Sequence, residues 1–224
     1  MNIGISLLNL LFPPKCPLCG GIQDVSGVCP KCEAAVKRTG EDSGVWEPVP
    51  GLVCAAPLWY EGAVREGILR FKFHGAVSAA EFFGGEMCQW AAERFSGEFD
   101  AVTWAPVSRK RLRQRGYDQA RLLAESACRR WGVKPERLLR KIRDNPAQSG
   151  LESAAARREN VKDVYAAAGD PAGKRVLLVD DICTTGSTLE ACAGVLKAAG
   201  AARVLCLTAA RTPKGGKTGE NGKE

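Results

Sequence analysis

The stretch Arg175-Val176-Leu177-Leu178-Val179-Asp180-Asp181-Ile182-Cys183-Thr184-Thr185-Gly186-Ser187-Thr188 joins three local signals in one order. Its opening residues form an apolar run of Val and Leu, the pattern of a strand buried on both faces. The run stops at two adjacent carboxylates, Asp180 and Asp181. Such neighbours repel, and a strand end tolerates them where a cation or paired hydroxyls can meet their oxygens. Thr184, Thr185, Ser187 and Thr188 then supply hydroxyls around Gly186, whose missing Cβ permits a close approach. A helix is expected from Thr188, and its free N–H groups and positive dipole end suit a monophosphate. An acidic turn or an ordinary Ser/Thr cap would explain either half alone. Together they point to a ribose diol at Asp180 and Asp181 and an anion at residues 184–188.

Working outward, apolar runs and helical patterns alternate. Strands are expected over 53–60, 101–106, 175–180 and 203–209, and helices over 63–73, 79–95, 118–131 and 188–199. That alternation predicts an α/β fold with a central parallel sheet. Open sheets of this kind place ligands beyond the carboxyl ends of their strands, where residues 180–188 fall.

Upstream, Cys16-Pro17-Leu18-Cys19 and Cys29-Pro30-Lys31-Cys32 form a paired C-x-x-C arrangement. Four thiolates so spaced suit a closed, structural Zn²⁺ site at Cys16, Cys19, Cys29 and Cys32. A redox dithiol is the competing reading, without the strand-then-helix context such a pair uses. Residues 3–11 read as a short helix ended by Pro13-Pro14, and residues 38–50 as a linker rich in Gly, Pro and charge. The expected organisation is a ribbon over residues 1–45, an α/β domain over 46–211 and a disordered tail over 212–224.

The 224 residues include 45% hydrophobic and 25% charged residues, enough apolar material for a sizeable core. Ten cysteines without a secretory leader pattern point to a reducing, cytoplasmic setting, and no apolar stretch near the start is long enough to span a membrane. Cys54, Cys88, Cys128, Cys192 and Cys206 sit in apolar surroundings and read as inert core residues. The net charge of +7 is clustered. Arg109, Lys110, Arg111, Arg113 and Arg115 form one dense run, and seven more basic residues lie between 129 and 143, where a solvated helix face is the plainer reading. Such clusters favour a polyanion: phosphate, pyrophosphate or nucleic acid.

The sequence from Val176 to Thr188 resembles the 5-phosphoribosyl-1-pyrophosphate (PRPP) motif of type I phosphoribosyltransferases. Further segments narrow the match. Tyr60-Glu61-Gly62, Ile68 to Gly75, Pro106-Val107-Ser108, Arg115-Gly116-Tyr117-Asp118-Gln119, Gln148, Leu151, Arg157 and Asn160 are similar to the ComF family, which includes competence proteins needed for natural transformation. The resemblance implies a type I phosphoribosyltransferase fold preceded by a small zinc ribbon. It implies that Asp180 and Asp181 hold the ribose hydroxyls of Mg²⁺-PRPP and that Thr184, Thr185, Gly186, Ser187 and Thr188 cradle its 5-phosphate. Lys72, Ser108, Arg109, Arg115 and Arg157 are candidates for the pyrophosphate loop and a covering hood, with Arg158 the alternative to Arg157. Asp118 stands where the family usually has Asn, which would weaken a phosphate contact there. His74 reads as a surface residue and Cys183 as a small buried one. Single-stranded DNA and competence or recombination proteins are the implied partners. A phosphoribosyltransferase of nucleotide metabolism is the alternative.

Overall fold

The computed structural model describes residues 13–143 and 164–213. The helix expected at 3–11, the tail from 214 onward, and Gln148, Leu151, Arg157, Arg158 and Asn160 lie outside the described residues. In chain order the described elements are α1 (Pro30–Ala35), α2 (Glu41–Gly44), β1 (Val45–Val49), β2 (Leu52–Ala55), β3 (Leu58–Trp59), α3 (Gly62–Phe73), α4 (Ala79–Arg94) and β4 (Ala101–Trp104). They continue with α5 (Arg109–Arg115), α6 (Gln119–Trp131), β5 (Leu139–Lys141), β6 (Tyr165–Ala167), β7 (Arg175–Cys183), α7 (Ser187–Ala198) and β8 (Arg203–Arg211).

The strands β1-β2-β8-β7-β4 lie side by side in that order, with β3 also on β8. All neighbours run parallel except β1, which returns antiparallel along β2. β5 and β6 form a separate antiparallel pair. Both faces of the central strands are covered, as the uninterrupted apolar run of β7 requires. Leu177, Val179, Leu205 and Leu207 face a core shared with α3, α4 and α6, while Val176, Leu178, Val204 and Cys206 face α7 and the β5–β6 pair. Helix α3 buries Val64, Gly67, Ile68 and Phe71, one stripe at helical spacing.

Four local expectations change. The strand expected over 53–60 divides into β2 and β3 around Ala56-Pro57, where proline has no N–H for a ladder. The linker expected over 38–50 instead holds α2 and β1, because Trp46 pairs with Cys54 and Thr39 Oγ1 donates to the Ala56 carbonyl at 2.6 Å. Strand β7 runs on to Cys183, since β8 continues alongside it and pairs Asp180 with Thr208 and Cys183 with Arg211. The basic stretch 129–143 is not one helix face: Arg129 and Arg130 end α6, whereas Arg140 and Lys141 lie in β5. Among the described residues no helix is long and apolar enough to cross a membrane.

Candidate functional site

Because β7 ends beside β8, the backbone must turn sharply to begin α7. Gly186 makes that turn with φ 81°, a left-handed conformation that only glycine adopts freely. Space demands glycine as well: a Cβ here would lie 2.7 Å from Pro48 Cβ. The resulting cup, about 50 Å³ and lined by Ile182 to Leu189, exceeds the roughly 30 Å³ share of one water in the liquid. Thr184, Thr185 and Thr188 are exposed at its rim, and the hydroxyls of Thr185 and Ser187 lie 2.9 Å apart.

The carboxylates precede the cup. Asp180 Oδ1 accepts the Asp181 amide at 2.8 Å, and Lys72 Nζ reaches Asp181 Oδ1 at 2.9 Å. Burial, followed by the charge of Asp181, pushes Asp180 up to about 8, well above a free carboxyl. Lys72 acts in the opposite direction, favouring ionisation of Asp180. It arrives from the last turn of α3, whose C-terminal end is further tied down where the Tyr117 hydroxyl donates to the Phe71 carbonyl.

The candidates after β4 divide. Ser108 is buried and its Oγ accepts the Arg111 amide at 3.2 Å, so it caps α5. Arg115 is partly buried, donates to Gln119 Oε1 at 3.0 Å and stands over the Phe73 ring at 5.0 Å. Arg109, Lys110, Arg111 and Arg113 are exposed on α5, none of whose residues is buried. His74 is exposed at the end of α3.

Sequence reasoning missed the role of Asp118. Its Oδ2 accepts the Val107 amide at 3.1 Å and its Oδ1 the Arg121 amide at 3.3 Å, holding the 106–108 loop to the start of α6. A carboxylate uses both oxygens here, whereas asparagine would offer one, so the departure from Asn serves the loop itself. Burial raises this carboxyl above its usual range. The position just before an apolar helix was the available signal.

The 106–108 loop and Arg109 at the start of α5 also border a groove of about 910 Å³ between α6 and β5. Arg109, Arg121, Arg137, Arg140, Lys141 and Arg143 line it against Asp118 and Glu125, with Trp104 in its wall. It was invisible to sequence reasoning because the groove joins two basic stretches separated along the chain.

In the ribbon, the Sγ atoms of Cys16, Cys19, Cys29 and Cys32 all lie within 4.8 Å of one another. Zn–S bonds of about 2.3 Å put tetrahedral sulfurs about 3.8 Å apart, and Cys19 and Cys29 are 3.9 Å apart. The amides of Gly21 and Cys29 donate to Cys19 Sγ and Cys16 Sγ, each at 3.4 Å, as suits thiolates. Burial opposes ionisation of Cys16, but the amides of Cys29, Cys19 and Leu18 bring it down to about 6. These four residues therefore fit a structural zinc. None of the ten cysteines is joined in a disulfide. Cys54, Cys128, Cys183, Cys192 and Cys206 are buried, whereas Cys88, expected in the core, is only half-buried. Burial pushes the Cys128 thiol up to about 12, in keeping with an inert residue.

Residues 117–222 match the phosphoribosyl transferase domain, and residues 7–43 match the double zinc ribbon domain. The ribbon match contains four cysteines, enough for one tetrahedral ion. Competence protein ComFC of Bacillus subtilis is 27% identical over 198 residues, covering 88% of this chain and 78% of that protein. Competence protein F of Haemophilus influenzae is 35% identical over 106 residues, 45% of each chain. DNA utilization protein YhgH of Escherichia coli O6:H1 is 31% identical over 117 residues, half of each chain. A four-cysteine ribbon running into a phosphoribosyltransferase-type α/β sheet, matched along 88% of its length by a ComFC protein, supports this chain as a ComF-family protein.

Proposed function

We propose that this protein binds Mg²⁺-PRPP at the end of β7 and works on single-stranded DNA during DNA uptake, alongside competence or recombination proteins. The observation that carries the small-molecule half is the run of groups at one strand end: two adjacent carboxylates, a hydroxyl-lined cup and a helix start, with Lys72 Nζ 2.9 Å from Asp181. In this reading Asp180 and Asp181 accept hydrogen bonds from the two ribose hydroxyls. Thr184, Thr185, Ser187 and Thr188, with the free amides of α7, surround the 5-phosphate. The ribose hydroxyls take the place of Lys72 on Asp181 and free its ammonium for the pyrophosphate. Ser108, on the loop that Asp118 braces, and Arg109, the first residue of α5, serve the same group. Two carboxylates also suit a hard cation, and Mg²⁺ brought in with PRPP would neutralise charge on the pyrophosphate.

The DNA half rests on the likeness to competence and DNA utilization proteins and on the basic groove. Five arginines and one lysine along one groove offer the positive charge that a strand's phosphates require. Thermal melting tests the small-molecule site. PRPP at 100 times its dissociation constant adds about 2.7 kcal/mol, a rise of roughly 5–10 °C for a chain of this size. Asp180→Asn with Asp181→Asn should abolish that rise. A double variant stabilised as much as the wild type would show that the carboxylates do not hold the ligand.

A further inference from the structure

Leu18, at the tip of the first Cys-x-x-Cys turn, is fully buried, and it is buried in the core of the sheet domain. It seats against α3 at Gly67, where a Cβ would fall 2.5 Å from Leu18 Cδ2 and 3.1 Å from Leu18 Cα. Gly20 meets the same helix one turn further on: a Cβ there would lie 2.0 Å from Arg70 Nη2. Positions 67 and 70 share one helix face. The ribbon is held to this surface from a second side, because Arg38 Nη2 lies 2.8 Å from Glu33 of α1 and 2.8 Å from Glu86 of α4. Lys72 follows Gly67 by five residues, about 7.5 Å along the helix axis. The helix that receives the metal-binding turn is therefore the one that delivers Lys72 to Asp181.

Helix α3 is clamped at both ends of this stretch. Leu18 and Gly20 press on it at 67 and 70, while the Tyr117 hydroxyl holds the Phe71 carbonyl. A close-packed contact without a Cβ leaves no slack, so a shift of the turn moves the helix as a body. Zinc fixes the turn because Cys16 and Cys19, on either side of Leu18, are two of its four ligands.

We propose that Leu18 and Gly67 are positioning residues for the PRPP site: the zinc-bound turn sets the place of α3 and so keeps Lys72 within reach of the pyrophosphate, and zinc and PRPP bind cooperatively. This rests on the PRPP reading of Asp180 and Asp181. Coupling between two ligands is reciprocal, so each must raise the affinity of the other by the same factor, typically about 5–150-fold.

The test measures zinc affinity of the full chain by competition with a zinc-selective chelator that leaves Mg²⁺ bound, with and without saturating Mg²⁺-PRPP. Zinc should bind at least about 5-fold more tightly in the presence of PRPP. Calorimetry on zinc-loaded Gly67→Ala should show weaker PRPP binding by a similar factor with an unchanged circular dichroism spectrum, and adding Leu18→Ala should restore it. In Lys72→Ala the zinc–PRPP coupling should vanish, a result that a merely structural ribbon does not predict. Equal zinc affinity with and without PRPP, unaltered PRPP binding in folded Gly67→Ala, or full coupling in Lys72→Ala would each overturn the inference and leave the proposed ligand standing. Failure of zinc-loaded wild type to bind PRPP at all would overturn the proposed ligand, and this inference with it.

Discussion

Lys72 Nζ and Asp181 Oδ1 meet at 2.9 Å, joining the end of α3 to the end of β7 with both side chains at least four-fifths covered, 20% and 15% exposed. The pair sits beside Asp180, whose carboxyl is already pushed up to about 8. Lys72→Met removes the cation that favours ionisation there. PRPP affinity, which should rise as pH climbs from about 6.5 to 8.5 in the wild type, should need higher pH in the variant. Calorimetric titrations across that range decide the matter, and superimposable profiles would remove Lys72 from the site's electrostatics.

Asp180 links binding to stability with a definite sign. Unfolded, it ionises near 3.8, and folded near 8. The native chain holds the extra proton between these values, so its stability falls as pH rises through the window and levels off above it. Asp180→Asn removes that penalty. At pH 8 it should melt higher than the wild type, by about 2–4 °C for each 1 kcal/mol recovered, while losing the PRPP-dependent shift. A variant that melts lower at pH 8 would contradict the burial of this carboxylate.

Gly186 faces two constraints, a φ of 81° and Pro48 Cβ at 2.7 Å from any added Cβ. Gly186→Ala should cost about 1–3 kcal/mol in chemical denaturation through backbone strain alone, and the displaced turn should weaken PRPP binding at least tenfold. Unchanged stability and affinity would show that the cup does not depend on this turn.

The ribbon contributes to the whole chain, since Cys16, Leu18 and Cys32 belong to the same apolar cluster as Leu177 and Leu205. Elemental analysis should find about one zinc per chain. Cys29→Ser should lower the melting temperature of the sheet domain, by several degrees, together with that of the ribbon. A sheet domain that melts at the wild-type temperature without zinc would show that the two are energetically independent.

For DNA, the structure offers two basic surfaces, and charge reversal separates them. Arg137→Glu with Arg140→Glu changes the groove, and Arg111→Glu with Arg113→Glu changes the exposed face of α5. Each lost phosphate contact should reduce the log–log salt slope of single-strand binding by about 0.7. The groove pair should therefore lower the slope by about 1.4, with a smaller change for the α5 pair. A slope altered only by the α5 pair would assign the strand to that helix.

The alternation of apolar runs and helical patterns was enough to read a parallel α/β sheet, and the order Asp180-Asp181 then Thr184 to Thr188 was enough to put forward a ligand loop as an expectation. Those signals are local: periodicity, a glycine at a turn, hydroxyls at a helix start, cysteines at ligand spacing. The strand in the 38–50 segment was illegible because β1, besides its hairpin with β2, is held by Trp46 under Arg211 at 3.8 Å, a contact with a residue far away in the sequence. The same holds for Asp118, which spacing presents as an ordinary helix cap until Val107 folds onto its second oxygen. The groove needs α6 and β5 side by side, and the seat of the ribbon needs Gly67 under Leu18. Residue type and spacing decided which chemistry this chain carries; close packing across the core decided which of those groups meet, because only there do the positions of one element constrain another.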